Sequence, residues 1–321
     1  MIHASRAINS GISIIIPTYG TFNYLQQVLR GLACQQVGNF KVEIVIVYQN
    51  RDDVEDIVKS IHFRKIQVVS SRNTIVGASR ARNAGAIKAR YSLLIFLDDD
   101  VIPIGRNWLQ NIWNVYRKHK FSVLCGKILL DPYFPFQSRS IRDLFIDFDM
   151  GNQSKYLELG SFVPSTQFII KRSLMLQLGG FRISLDRVGN NLLSGCDDEL
   201  TMTLGNINQR IYYCPKFQVI HRILPRRTTF VYIYRRLFWQ GVTDVLVERH
   251  FHPLTVKRIV KNSQYLLRQI VQQNILHISK NNVDDDFKAR FMYRIGYIFG
   301  LFYSLLQLQP KARPLDIYTQ A

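Results

Sequence analysis

Leu93-Leu94-Ile95-Phe96-Leu97 is an unbroken apolar run that ends in Asp98-Asp99-Asp100. A strand without polar alternation is covered on both faces, as in the parallel sheets of α/β proteins. Three adjacent carboxylates repel one another and are costly at the end of a buried strand. A divalent cation removes that cost. Mg²⁺ or Mn²⁺ takes one or two carboxylates plus phosphate oxygens, a donor set that suits a nucleoside diphosphate. The plain alternative is a solvated acidic turn.

The rest of the first hundred residues repeats the theme. Ile12–Ile16 is a β-branched run stopped by Pro17, Val42–Val47 and Ile66–Ser70 are further apolar strands, and Tyr91–Leu97 is the fourth. Between them, Tyr24–Gln36, Val54–Ile61 and Ala78–Ala89 read as helices. Strand, helix, strand in alternation predicts a mostly parallel sheet flanked by helices, with ligands outside the carboxyl ends of the strands. Pro17–Gly20, Tyr48–Asp53 and Asp98–Pro103 leave those ends, so three loops converge on one site. Beyond residue 105 the pattern loosens. Trp108–His119 reads as helix and Val123–Leu130 as strand. Residues 131–160 read as irregular, and Phe168–Ile170 leads a helix to Leu178. A helix follows from Asp197 and a strand over Tyr212–Ile220; 228–308 is mostly amphipathic helix.

Two further clusters carry chemistry. Gly77–Gly85 (GASRARNAG) sets Arg80 and Arg82 near a helix start, where guanidinium groups hold a diphosphate or a base edge; an ordinary basic helix is the alternative. Ser194–Leu200 (SGCDDEL) puts acids at a helix start, partly as a cap, but three together exceed what a cap needs and suit a catalytic carboxylate. An ATPase is excluded: its phosphate loop precedes the acidic strand, whereas the Gly126-Lys127 pair follows it and has Phe121 in place of the first glycine.

These pieces together resemble family 2 glycosyltransferases of the GT-A fold over about residues 11 to 245. Ser13–Gly20 (SIIIPTYG) is similar to the family's opening strand and nucleotide loop, and Gly77–Asp100 follows its pattern throughout. Gly179-Gly180-Phe181 and Gly195–Leu200 are similar to its acceptor-side and catalytic-base motifs. The resemblance implies an inverting, hexosyltransferase-type enzyme that uses a nucleotide-diphosphate sugar and Mn²⁺ or Mg²⁺. It assigns Pro17, Thr18, Tyr19, Gln49, Arg82, Asp98 and Asp99 to the nucleotide-sugar, Asp100 and His221 to the metal, and the base to Asp197 or Asp198. The sequence departs from the pattern at three places. Gly20 stands for the usual Asn, Tyr48-Gln49-Asn50 lacks the Asp that normally contacts the base, and Cys196 replaces an acid. The implied domains are a catalytic unit over 1–225, with a nucleotide half at 11–104 and an acceptor half at 105–225, and a basic helical region over 226–321.

The chain carries 42 Lys and Arg against 23 Asp and Glu, and residues 221–321 hold 16 of the bases and 6 of the acids. Such a field attracts nucleic acid, anionic lipid or phosphorylated substrates. Arg222, Arg226, Arg227, Arg235 and Arg236 alternate with Phe230, Tyr232, Tyr234, Phe238 and Trp239, and Phe291–Leu308 is apolar and aromatic. Helices of that kind lie in a membrane interface, so a peripheral contact with anionic membrane and a glycan or lipid-linked acceptor are expected; packing of these aromatics as core is the alternative. Nucleic-acid binding leaves the acidic clusters unexplained, and a non-catalytic homologue leans on Tyr48 and Cys196. Cys34, Cys125, Cys196 and Cys214 form no C-x-x-C pair, which argues for reduced thiols in the cytoplasm. No apolar run reaches the ~18 residues of a spanning helix, and Met1–Gly11 reads as no signal peptide.

Overall fold

The computed structural model describes residues 9–20, 24–74, 76–136, 139–187, 189–252, 255–278 and 285–306. The expectations for residues 1–8, for 307–308 at the end of the aromatic stretch, and for 309–321 lie outside them. The strands are β1 (Asn9–Tyr19), β2 (Lys41–Gln49), β3 (Ile66–Arg72), β4 (Tyr91–Leu97), β5 (Val101–Pro103), β6 (Val123–Leu130), β7 (Lys155–Tyr156), β8 (Gln167–Lys171) and β9 (Ile211–His221). The helices are α1 (Tyr24–Ala33), α2 (Val54–Lys59), α3 (Ala78–Lys88), α4 (Trp108–Lys118), α5 (Arg139–Leu144), α6 (Arg172–Gln177), α7 (Cys196–Asn206), α8 (Phe230–Phe251), α9 (Val256–Ile278) and α10 (Asp285–Leu306).

One sheet runs β3-β2-β1-β4-β8-β6-β9-β5, with β7 added to β9. The β3-β2-β1-β4 half is parallel; β2 and β4 are almost wholly buried, as parallel strands covered on both faces are, while β3 at the end of the order is mostly exposed or half-buried. The second half is mixed: β8 is antiparallel to both β4 and β6, while β6 and β9 run parallel. Alternate residues of β1 and β4 feed two cores. Ile12, Ile14, Ile16, Leu93 and Ile95 pack with α1 and α4, and Ile15, Leu94 and Phe96 pack with α3, α7 and α8.

Small residues let α3 lie close on the sheet. A Cβ on Gly85 would come within 2.4 Å of Ile15 Cγ2. Asn83 on the same helix exchanges two hydrogen bonds with the backbone of Phe181, each 2.8 Å. Gly180 makes this possible: its φ is +78°, and a Cβ there would strike Asn83 Oδ1 at 2.5 Å. The Gly179-Gly180-Phe181 turn thus locks the two halves of the sheet together.

Residues 131–160, expected to be irregular, include α5 and β7. The aromatic stretch of α10 packs on α8, as the core alternative requires. Its Gly296 lies so close that a Cβ would meet the Phe238 carbonyl oxygen at 1.9 Å. Tyr293 and Tyr297 donate to Asp244 Oδ2 at 2.6 Å and Glu248 Oε2 at 2.9 Å across the same seam. Ile295, Phe299 and Phe302 of α10 and Tyr265 and Leu267 of α9 remain exposed. Among the described residues no helix is long and apolar enough to cross a membrane.

Candidate active site

The carboxyl ends of β1, β2 and β4 open into one cavity of about 700 Å³. Every expected site residue lines it: Pro17, Thr18, Tyr19, Gln49, Arg82, Asp98, Asp99, Asp100, Asp197, Asp198 and His221. The resemblance named these residues from scattered segments; the fold gathers them at the sheet's edge.

The aspartate triplet is divided among different partners. Asp98 receives Arg82 Nη2 at 2.6 Å and Thr166 Oγ1 at 3.2 Å. Burial opposes the charge on Arg82, but Asp98 more than restores it and raises the guanidinium above its ordinary range. Asp99 accepts the Thr18 hydroxyl. Burial and then the Asp100 charge push the Asp99 carboxyl up to about 7. Asp100 is buried but faces His221 Nε2 at 3.5 Å and Arg227 Nη1 at 3.4 Å. Its burial is outweighed by His221 and Arg227, which hold it below the usual carboxylate range.

The donor set suits a divalent ion bound largely by phosphate. His221 Nδ1 is 2.9 Å from the Phe145 carbonyl oxygen. A carbonyl only accepts, so Nδ1 carries a proton and leaves Nε2 to face Asp100; such second contacts orient metal-binding histidines. Among the described residues no group of three or more His, Cys, Asp and Glu is arranged to hold a metal. Asp100 and His221 could supply the protein's share of such a shell, which Mg²⁺ or Mn²⁺ commonly completes with substrate phosphates and water.

Across the cavity, α7 carries the second acidic cluster. Asp197 Oδ2 accepts the Ser165 backbone N–H at 3.0 Å and its hydroxyl at 3.2 Å. Burial, then Asp197 and Asp244, push the Asp198 carboxyl up to about 8 despite Arg236. Burial and Asp197 raise the Cys196 thiol, so it stays neutral beside Asp197.

Several lining or bracing residues were not expected. Arg51, buried in the β2–α2 loop, clasps Asp53 through two 2.7 Å contacts and donates to Thr18 Oγ1 at 2.8 Å. This joins the loops after β2, β1 and β4 in the chain Asp53–Arg51–Thr18–Asp99. Gln49 exchanges hydrogen bonds with the Gly77 backbone, so its amide fastens two loops. Asp186 receives the Ser79 N–H at 2.7 Å and caps the start of α3 from a distant loop. Of the five arginines expected at a membrane face, Arg226 and Arg235 are exposed and the other three engage the protein. Arg222 pairs with Asp131, Arg227 with Asp100, and Arg236 bonds Ser194 Oγ. A sequence signal existed: Tyr232, Arg236 and Gln240, at i, i+4 and i+8 of α8, all line the cavity.

The chain is similar to known glycosyltransferases in sequence and in fold. The chain is 20% identical over 310 residues to a glucosyl-dolichyl phosphate glucuronosyltransferase of Haloferax volcanii, covering 92% of this chain and 96% of that one. Staphylococcus aureus TarS 1–349, solved with UDP-GlcNAc, superposes with a TM-score of 0.52 at 16% identity, over 94% of this chain and 93% of its own. The mannosyltransferase PcManGT of Pyrobaculum calidifontis, solved with GDP-Man and Mn²⁺, gives 0.53 at 12% identity, over 98% and 80%. At these identities the structural likeness shows the GT-A fold alone. The model of glycosyl transferase family 2 matches residues 13–179, just over half of the chain. The protein therefore belongs to glycosyl transferase family 2 and is a glycosyltransferase.

Proposed function

We propose that the protein moves a hexosyl group from a nucleoside-diphosphate sugar to a hydroxyl of a glycan or lipid-linked glycan, with inversion at the anomeric carbon. The observation that carries this reading is one cavity walled together by Asp98–Asp100, His221, Asp197 and Asp198. Residues 11–104 would hold the nucleotide and 105–225 the acceptor. The region from 226 adds Arg227 and Arg236 to the wall.

In this mechanism Thr18, Gln49 and Arg82 shape the nucleotide end, and exposed Tyr19 stands at its mouth. Asp100 and His221 would hold Mn²⁺ or Mg²⁺, which when bound offsets charge developing on the leaving diphosphate. Arg227 adds a fixed positive charge there. Asp197, oriented by Ser165, accepts the proton of the attacking acceptor hydroxyl. Asp197 is the better-placed base, because Ser165 orients it, whereas burial and the Asp197 charge push the Asp198 carboxyl up to about 8. A single carboxylate base suits a one-step displacement.

A role in polysaccharide or glycoconjugate synthesis at the cytoplasmic membrane face fits the exposed apolar side chains of α9 and α10 and the basic last third. The test is thermal stabilisation by UDP, GDP and dTDP, with and without Mn²⁺. One nucleotide that stabilises only with metal supports the reading; no stabilisation by any of them defeats it.

A further inference from the structure

The cavity has a second cationic end that the mechanism above does not use. Arg236, on the second turn of α8, is 7% exposed and lines the cavity. Its Nη2 donates to Ser194 Oγ, whereas its Nη1 is buried without a hydrogen-bond partner. An unmet buried charged donor is costly to a fold, and this one lines a cavity that a ligand can enter. Arg187, on the loop ahead of α7, lines the same cavity. The two guanidinium groups repel: burial and then Arg187 bring Arg236 down to about 10. Arg235 donates to the Asn190 carbonyl at 3.2 Å, which ties α8 to the loop following Arg187.

The acids facing Arg236 do not meet this demand. Burial and Asp197 push the Asp198 carboxyl up to about 8, which weakens it as a counter-ion, and Asp197 Oδ2 already accepts from the Ser165 N–H and hydroxyl. Asp244, on the same helix, accepts from Gln240 and Tyr293. Tyr232 is the other titratable group near Arg236. Arg227 contrasts with Arg236. It responds to Asp98, Asp99 and Asp100 and so belongs to the diphosphate end, while Arg236 responds to Asp197 and Asp198.

We propose that Arg187 and Arg236 form an anion subsite beside the base, which binds a carboxylate or phosphate on the transferred sugar or on the acceptor. The inference rests on the proposed nucleotide-sugar reading and narrows its substrate class to one that carries negative charge next to the reacting centre. Guanidinium groups bind both anions through paired, charge-assisted hydrogen bonds.

Calorimetric binding to the full chain with Mn²⁺, using matched pairs, tests it. The donor arm compares UDP-glucuronate with UDP-glucose and GDP-mannuronate with GDP-mannose. The acceptor arm compares glucose 1-phosphate with methyl glucoside, with and without UDP or GDP. Wild-type protein is expected to prefer the charged member of one arm by about tenfold, and that arm names the source. Arg187→Ala and Arg236→Gln are each expected to reduce the preference to below about twofold while leaving nucleoside diphosphate affinity within about twofold. Arg187→Ala, in a half-buried loop, keeps the test valid if Arg236→Gln fails to fold. Equal affinity within every pair, or a preference that survives both substitutions, overturns the proposal. Parallel loss of UDP or GDP affinity also overturns it, because the pair would then serve the diphosphate. If the wild type binds neither nucleotide, the nucleotide-sugar reading falls by itself; the glucose 1-phosphate pair, measured alone, still decides the subsite.

Discussion

The two ends of the parallel strands use the same residue types to opposite effect. At the amino end, Glu43 of β2 is 1% exposed and fully engaged. It accepts from Ser13 Oγ at 2.6 Å, Arg90 N at 2.7 Å and Arg90 Nε at 2.7 Å. Ser13 Oγ in turn accepts from Tyr91 N, and Arg90 also reaches Gln67. Four strands are tied by one closed network. At the carboxyl end the charges are left unbalanced. Asp99 and Asp198 are raised to about 7 and 8, and Arg236 keeps an unpartnered Nη1. A satisfied buried network rigidifies a fold, whereas unmet charge in a cleft is what a ligand completes.

Substitution should separate these roles most sharply at Asp197 and Glu43. Asp197→Asn preserves shape and removes the base, so turnover should fall by about 10²–10⁴-fold while metal-dependent nucleotide binding and thermal stability hold. Retained turnover would remove Asp197 from the mechanism. Glu43→Ala should do the reverse. It strands Arg90 and two N–H or O–H donors, at a cost of about 3 kcal/mol in denaturant unfolding, and leaves the activity per folded molecule intact. A loss of activity without loss of stability would show that the two ends are coupled.

What could be read in the sequence follows the same division. β4 and its aspartates were legible because an apolar run and a charge cluster are local signals. The α3 motif was legible for the same reason, and its small residues proved to be contact points with Ile15 and Phe181. The bracing residues were not legible. Arg51 sits beside Asp52 and Asp53 and reads as a solvated charge, yet it is buried against Thr18, 33 positions away. Asp186 caps a helix 107 positions away, and no local pattern announces that. Arg227 and Arg236, expected at a lipid face from their alternation with aromatics, line the cavity, because on a helix it is the 3.6-residue period that decides which side chains share a face. Spaced by turns of α8, Tyr232, Arg236 and Gln240 point to the cavity.

Arg51 gives a smaller test. Arg51→Lys keeps the charge but cannot form both contacts to Asp53 and the one to Thr18. Loosening of the three nucleotide loops should raise the donor KM by about tenfold with kcat changed less. An unchanged KM would reduce Arg51 to a packing element of the β2–α2 loop.

The smallest effect distinguishes the two neighbouring acids of α7 by pH. Asp198 in the folded protein keeps its proton until about pH 8, whereas in the unfolded chain an aspartate loses it near about pH 4. The folded state thus holds the extra proton through that window. This contribution to stability is complete below about pH 4 and is lost as the pH rises towards 8. Asp198→Asn never ionises and retains a neutral polar group of the same shape. Without metal and nucleotide, its melting temperature should match wild type at low pH and exceed it above pH 8, by about 2–4 °C for each kcal/mol of stability that the raised carboxyl loses on ionising. The gap must open between these limits. A constant gap across the range would mean that Asp198 is already ionised in the folded protein, and one reason for preferring Asp197 as base would go with it.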